Sequence, residues 1–214
     1  MDTTPLTLAI AAGLLAALYW WRYCHAGPSW SKSVVKTASV LLLALSAWAA
    51  GGPGLLLVAL LLCALGDYLL SRPTEGEFMA GVGAFAAGHV AYVVLFLAQG
   101  GAQPLSPWLT AALLLLGVVM ATILWRRAGA LRGPVMVYIP VILSMGLAAQ
   151  TLPASGALAL ALPAALLFIA SDFILSHEMF VLPETHPLRR FTPFAVWPTY
   201  WGAQSLFTLA FALL

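Results

Sequence analysis

The chain has 214 residues, of which 63% are hydrophobic and only 7% charged. A water-soluble domain carries about 25% charged residues, so this chain cannot clothe a water-facing surface, and its solvent is a membrane. The net charge of +2 is too small for a nucleic-acid partner, and the two cysteines, Cys24 and Cys63, form neither a disulfide framework nor a zinc spacing.

The first residues, Met1 to Pro5, lack the basic segment of a signal peptide, so the first apolar run is expected to remain as a helix. Apolar runs then fall at 5–23, 32–50, 53–71, 78–98, 107–126, 133–151, 153–176 and 191–213. Each is near the length that a bilayer requires. Gly51-Gly52-Pro53-Gly54, the stretch Gly100 to Pro107, and Thr151-Leu152-Pro153 break the runs sharply. Pro140, Pro163 and Pro198 fall inside runs, as kinks that membrane helices tolerate. The expected fold is all-α: a single polytopic membrane domain, 1–214, of eight transmembrane helices.

Charge placement orients it. Arg22, Lys32 and Lys36 fall at the first connection and the start of the second run. Arg72 falls at the third connection, Arg126, Arg127 and Arg132 at the fifth, Arg189 and Arg190 at the seventh. All nine basic residues thus mark odd connections, which the positive-inside rule places in the cytoplasm, with both termini outside. The pattern points to a bacterial inner membrane. A short repeat is also visible: Gly66-Asp67-Tyr68-Leu69-Leu70-Ser71 closes the third run and Ser171-Asp172-Phe173-Ile174-Leu175-Ser176 the seventh. Two parallel four-helix halves would produce it.

Carboxylates are expensive inside a bilayer, at about 2.5–3.5 kcal/mol near its centre, and an intramembrane Asp is a functional-site hypothesis by default. Asp67 and Asp172 each lie about four residues, or ~6 Å, short of the cytoplasmic end of their runs. Lys36 and Tyr138 reach a similar depth. His89 and Tyr92 on the fourth run, and Tyr200 and Gln204 on the eighth, lie deeper, at spacings that share one helical face. They either serve a site or hydrogen-bond helices together. The small residues Ala80, Gly81, Gly83, Ala84, Ala87 and Gly88 make the fourth helix a central one. Arg72 and Arg190 could meet a lipid phosphate at the cytoplasmic mouth, as could Lys36. No His spacing supports a metal, and no cofactor is expected.

At these positions the chain resembles the lysoplasmalogenases, or YhhN-like membrane proteins. The matching stretches are Gly27-Pro28-Ser29-Trp30 leading to Lys36, then Gly66-Asp67, Gly83-Ala84-Phe85 with Gly88-His89-Val90-Ala91-Tyr92, Phe168-Ile169-Ala170-Ser171-Asp172, and a last helix with Tyr200 and Gln204. Where the family often has Lys-Pro, this chain has Lys36-Thr37. The resemblance implies hydrolysis of the vinyl ether bond of lysoplasmalogens, alkenyl-glycerophosphoethanolamine or -choline, to a fatty aldehyde and a glycerophospho-alcohol. Lysophospholipid and water would be the partners, within the bilayer. Vinyl ether hydrolysis needs a proton donor, an anion beside an oxocarbenium-like cation, and a water, and glycosidases meet that need with two carboxyl groups. Asp67 and Asp172 are the expected pair, with Tyr138, His89 or Tyr200 orienting water or ether oxygen. The rival reading is a proton-coupled or lipid transporter, which would also use intramembrane carboxylates. The sequence leaves oligomeric state and headgroup open.

Overall fold

A computed structural model describes residues 3–213, so residues 1, 2 and 214, the ends of the expected domain, lie outside the described residues. Eight α-helices follow one another: α1 (Thr4–Leu18), α2 (Trp30–Ala49), α3 (Gly54–Leu70), α4 (Glu75–Ala98), α5 (Pro107–Arg127), α6 (Arg132–Ala149), α7 (Ala161–Phe180) and α8 (Thr192–Thr208). Among the described residues there is no strand. Six helical stretches are long and apolar enough to cross a membrane, while α3 is apolar but only 17 residues long. The chain is an integral, multi-pass membrane protein.

Local sequence sets the helix ends. Ser29 accepts from Lys32 N at 3.2 Å to start α2. Thr74 and Glu77 cap each other's backbone to start α4, satisfying amide groups that the helix leaves unbonded. Pro107 opens α5 at the position where proline costs no hydrogen bond. Two ends differ from the apolar runs. Residues Ala157–Leu160 form a separate 3₁₀ turn, so Pro163 stands in the first turn of α7 rather than kinking its interior. At its other end α7 continues to Phe180, because His177 and Glu178 carry the helix past the apolar run with no proline before Pro183. Asp172 therefore lies eight residues from its helix end and Asp67 three, rather than at equal distances.

Four sets of contacts fix which connections share a face. Ser46 Oγ donates to Pro5 O at 2.7 Å, joining the chain start to the second connection. Gln103 N donates to Thr151 O at 3.1 Å, joining the fourth and sixth. On the opposite face Ser71 Oγ donates to Ser33 Oγ at 2.9 Å, and Trp20 Nε1 to Phe194 O at 3.1 Å, gathering the first, third and seventh connections. All the basic residues lie toward this second face.

Outward surfaces are apolar. On α5, Leu114, Leu115, Val118 and Val119 are exposed, as a lipid-facing helix requires. Inward surfaces are small or aromatic, and α4 is central as expected, the most deeply buried of the spans. Its Gly88 lies so near α3 that a Cβ there would stand 2.9 Å from Cys63 Sγ, which is how small residues bring membrane helices together. Between the hairpins, α2 packs on α8 and α4 on α6.

Candidate active site

Asp67 is fully buried near the end of α3. A buried carboxylate is tolerated only when paired and hydrogen-bonded. Tyr200, on α8, donates its hydroxyl to Oδ2 at 2.6 Å. Lys36, on α2, places Nζ 3.0 Å from Oδ1, an ion contact rather than an aligned hydrogen bond. Three helices thus converge on one side chain, and Gly66 gives them room: a Cβ there would collide with Phe85, whose ring packs edge-on against Tyr200 at 5.7 Å.

Asp172, on α7, is held differently. Tyr138, on α6, donates its hydroxyl to Oδ2 at 2.5 Å. No other protein hydrogen bond or cation reaches Asp172 among the described residues. Lys36 and Tyr138 are each the seventh residue of their helix, and each engages the aspartate of the next helix. The two halves of the chain therefore offer equivalent positions, with an ammonium in one and a phenol in the other.

Both aspartates, with Lys36, Tyr138 and Tyr200, line one cavity of ≈ 450 Å³. Its charged end is bordered by Cys24, Lys32 and Glu178. Its inner end, at mid-helix, is walled by Leu116, Gly117, Ile142 and Leu143. No lining residue comes from the connections of the uncharged face.

The remaining expected residues lie elsewhere. His89 is buried behind the cavity wall, its ring edge-on to Tyr138 at 5.5 Å and to Phe168 at 4.5 Å. Its Nδ1 is 2.6 Å from Phe85 O, a pure acceptor, so Nδ1 carries the proton and Nε2 is an unpartnered lone pair. Tyr92 hydrogen-bonds Gln204 among Phe96 and Phe207, joining α4 to α8 away from the cavity. Arg72 pairs with Glu77 at 3.5 Å and lies over the Trp30 ring, and Arg190 lies over Phe191; neither borders the cavity.

Tyr19, Trp197, Lys32 and Glu178 also line the cavity. Tyr19 sits in a π-helical turn, Tyr19–Tyr23, that widens the end of α1 and turns its ring onto Trp197 at 4.2 Å. Trp197 in turn donates to Ala16 O at 3.0 Å. No sequence signal announces a π turn. Lys32 was legible, since it stands one turn before Lys36 on the same helical face. Glu178, which the sequence places in the seventh connection at a polar mouth above the aspartates, belongs instead to the last turn of α7.

The YhhN family model matches residues 31–211. An uncharacterized membrane protein YhhN from Escherichia coli is 33% identical over 175 residues, 78% of this chain and 79% of that one. The lysoplasmalogenase TMEM86B of Sus scrofa is 33% identical over 194 residues, 86% of this chain and 76% of its own, and that of Rattus norvegicus 33% over 190 residues, 86% and 74%. No solved structure matches.

Proposed function

Since the chain belongs to the YhhN family, we propose that it is a membrane hydrolase of lysoplasmalogens, cleaving their vinyl ether with Asp67 and Asp172. The observation that carries this reading is one lipid-sized cavity holding two carboxyl groups with different partners, one beside an ammonium and one beside a phenol. Relatives named lysoplasmalogenase support the substrate class. The cavity's confinement to one half of the helix length favours an enzyme over a carrier, which needs a path to both faces.

The roles follow from the partners. Asp172 faces no cation, and Tyr138 occupies Oδ2, so a proton on Oδ1 is the one available to the substrate. Asp172 passes it to the alkene carbon remote from oxygen, and the carbon bonded to oxygen becomes an oxocarbenium ion. Asp67, ionised beside Lys36 in the same cavity, serves as the stabilising anion. Water adds to the cationic carbon and returns a proton to Asp172. The hemiacetal then collapses to a fatty aldehyde and the glycerol hydroxyl, so one water is consumed and no redox change occurs. The apolar inner end around Gly117 takes the alkenyl chain.

Charge placement and helix packing support the membrane arrangement as well. The charged face is the cytoplasmic one by the positive-inside rule. With α3 and α8 also crossing there are eight spans, since 17 residues is the lower limit for a span. The matched packing of α2 on α8 and α4 on α6, with Lys36 and Tyr138 at one register, supports two parallel halves.

Purified protein incubated with an alkenyl-lysophosphoethanolamine should release fatty aldehyde and glycerophosphoethanolamine, followed by mass spectrometry. An acyl-lysolipid should give neither. Absence of aldehyde from every alkenyl lipid tested would leave the transporter reading in its place.

A further inference from the structure

Two charges border the cavity and take no part in the reaction above. Lys32 stands one turn before Lys36 on α2, and Glu178 six residues beyond Asp172 on α7. Both are half-buried and both line the charged end of the cavity. Lys32 Nζ donates to Ala26 O at 2.6 Å, which ties the ammonium to the first connection and leaves two of its three N–H groups for another partner. The Glu178 carboxylate has no hydrogen bond or ion pair among the described residues. Its charge is felt at Lys32, yet the two do not close into a bridge. An anion and a cation thus stand apart at one end of the cavity, the cation with two N–H groups still free. A ligand bearing both signs would satisfy both at once.

We propose that Lys32 and Glu178 form a headgroup site for a zwitterionic phosphoalcohol, Lys32 taking the phosphate and Glu178 the ammonium. This rests on the lysolipid reading above and adds the headgroup to it. The spacing fits. In a 1-alkenyl glycerophospholipid five bonds separate the ether oxygen from phosphorus, about 6 Å when extended, and one helical turn separates Lys36 from Lys32, about 5.4–6 Å. Four more bonds lead to the ammonium, and Glu178 lies six helical residues, about 9 Å, beyond Asp172. Substrate laid along this axis places its vinyl ether between the aspartates and its chain toward Gly117.

Chemistry then ranks the headgroups. A primary ammonium gives charge-assisted hydrogen bonds to a carboxylate. A trimethylammonium gives only charge, so ethanolamine binds better than choline. A bare phosphate monoester gains Lys32 but meets Glu178 as a like charge.

The test uses saturated-ether lysolipids, which keep the headgroup but carry no alkene, bound to the full chain in nanodiscs of uncharged-headgroup lipid and followed by calorimetry. The parent protein should bind the ethanolamine lipid about tenfold tighter than the phosphate monoester. Lys32→Gln should weaken both about tenfold. Glu178→Gln should bring the two within about twofold of each other, chiefly by weakening the ethanolamine lipid. Equal affinities in the parent, or discrimination unchanged in Glu178→Gln, would overturn the proposal. The parent comparison needs no variant and so decides the matter even if a substitution impairs folding. Because the probes cannot be hydrolysed, headgroup discrimination without aldehyde release from alkenyl lipids would refute the reaction and leave this site standing.

Discussion

At the scale of the residue, the two aspartates differ in what surrounds them, and the difference is testable without substrate. Asp67 is a buried anion matched to Lys36 at 3.0 Å and to Tyr200 at 2.6 Å. Removing one partner of a buried ion pair leaves an uncompensated charge, at a cost of about 3–5 kcal/mol. Lys36→Met should therefore lower the melting temperature in detergent sharply, and Lys36→Met combined with Asp67→Asn should recover most of that loss while remaining inactive. A single Lys36→Met variant as stable as the parent would show that Lys36 does not compensate Asp67. Tyr138 does a smaller job, orienting one carboxyl group through one hydrogen bond. Tyr138→Phe should keep the fold and cut turnover roughly tenfold, read as aldehyde release; unchanged turnover would remove Tyr138 from the account. The protonation step also has its own signature. In D₂O the released aldehyde should carry one deuterium at its second carbon, placed there by transfer to the alkene. Turnover should also be slower in D₂O, because the transfer to carbon moves a solvent-derived proton; equal turnover in the two solvents would mean that this transfer does not limit the rate.

At the scale of the element, the helices form because apolar runs of bilayer length are cut by Gly and Pro, and that pattern is plain in the sequence. Asp67, Asp172, Lys36 and Tyr138 were legible for the same reason: polar groups stand out against Leu and Ala. Helix ends are less legible, since capping and polar extensions decide them. One added turn of α7 put Glu178 on a helix rather than in a connection, and the π turn at Tyr19–Tyr23 hid Tyr19. Roles were hidden too. His89, Tyr92 and Gln204 read from the sequence like the residues that line the cavity, but a helix has several faces and only packing decides which one looks inward. Gly117 on α5 faces Leu143 on α6 so closely that a Cβ would stand 2.4 Å from its Cδ1. Gly117→Leu should push Leu143 into the inner end of the cavity. Turnover of long alkenyl chains should then fall more than that of short ones, measured as kcat/KM across a chain-length series. An equal loss at every length would mean that the chain does not lie there.

At the scale of the whole molecule, the uneven placement of charge and the location of the cavity agree. Every basic residue lies toward one face, and the cavity's charged end, bordered by Lys32, Cys24 and Glu178, lies on that side. In a background lacking Cys24 and Cys63, a cysteine at His186 should react with an impermeant maleimide only in inverted inner-membrane vesicles, and one at Gln103 only in right-side-out vesicles. Labelling of both from the same side would break the eight-span arrangement. The central claim is narrower than topology: two carboxyl groups in one cavity divide a single hydrolysis between them. It is tested most directly by measuring aldehyde released from alkenyl-lysophosphoethanolamine by Asp172→Asn and by Asp67→Asn, the latter combined with Lys36→Met so that no buried charge is left unpaired, each shown to keep most of the parent's melting temperature. Loss of a general acid costs about 10²–10⁴-fold in rate, so each variant should retain at most about one hundredth of the parent turnover. Near-parental aldehyde release from either one would contradict the account.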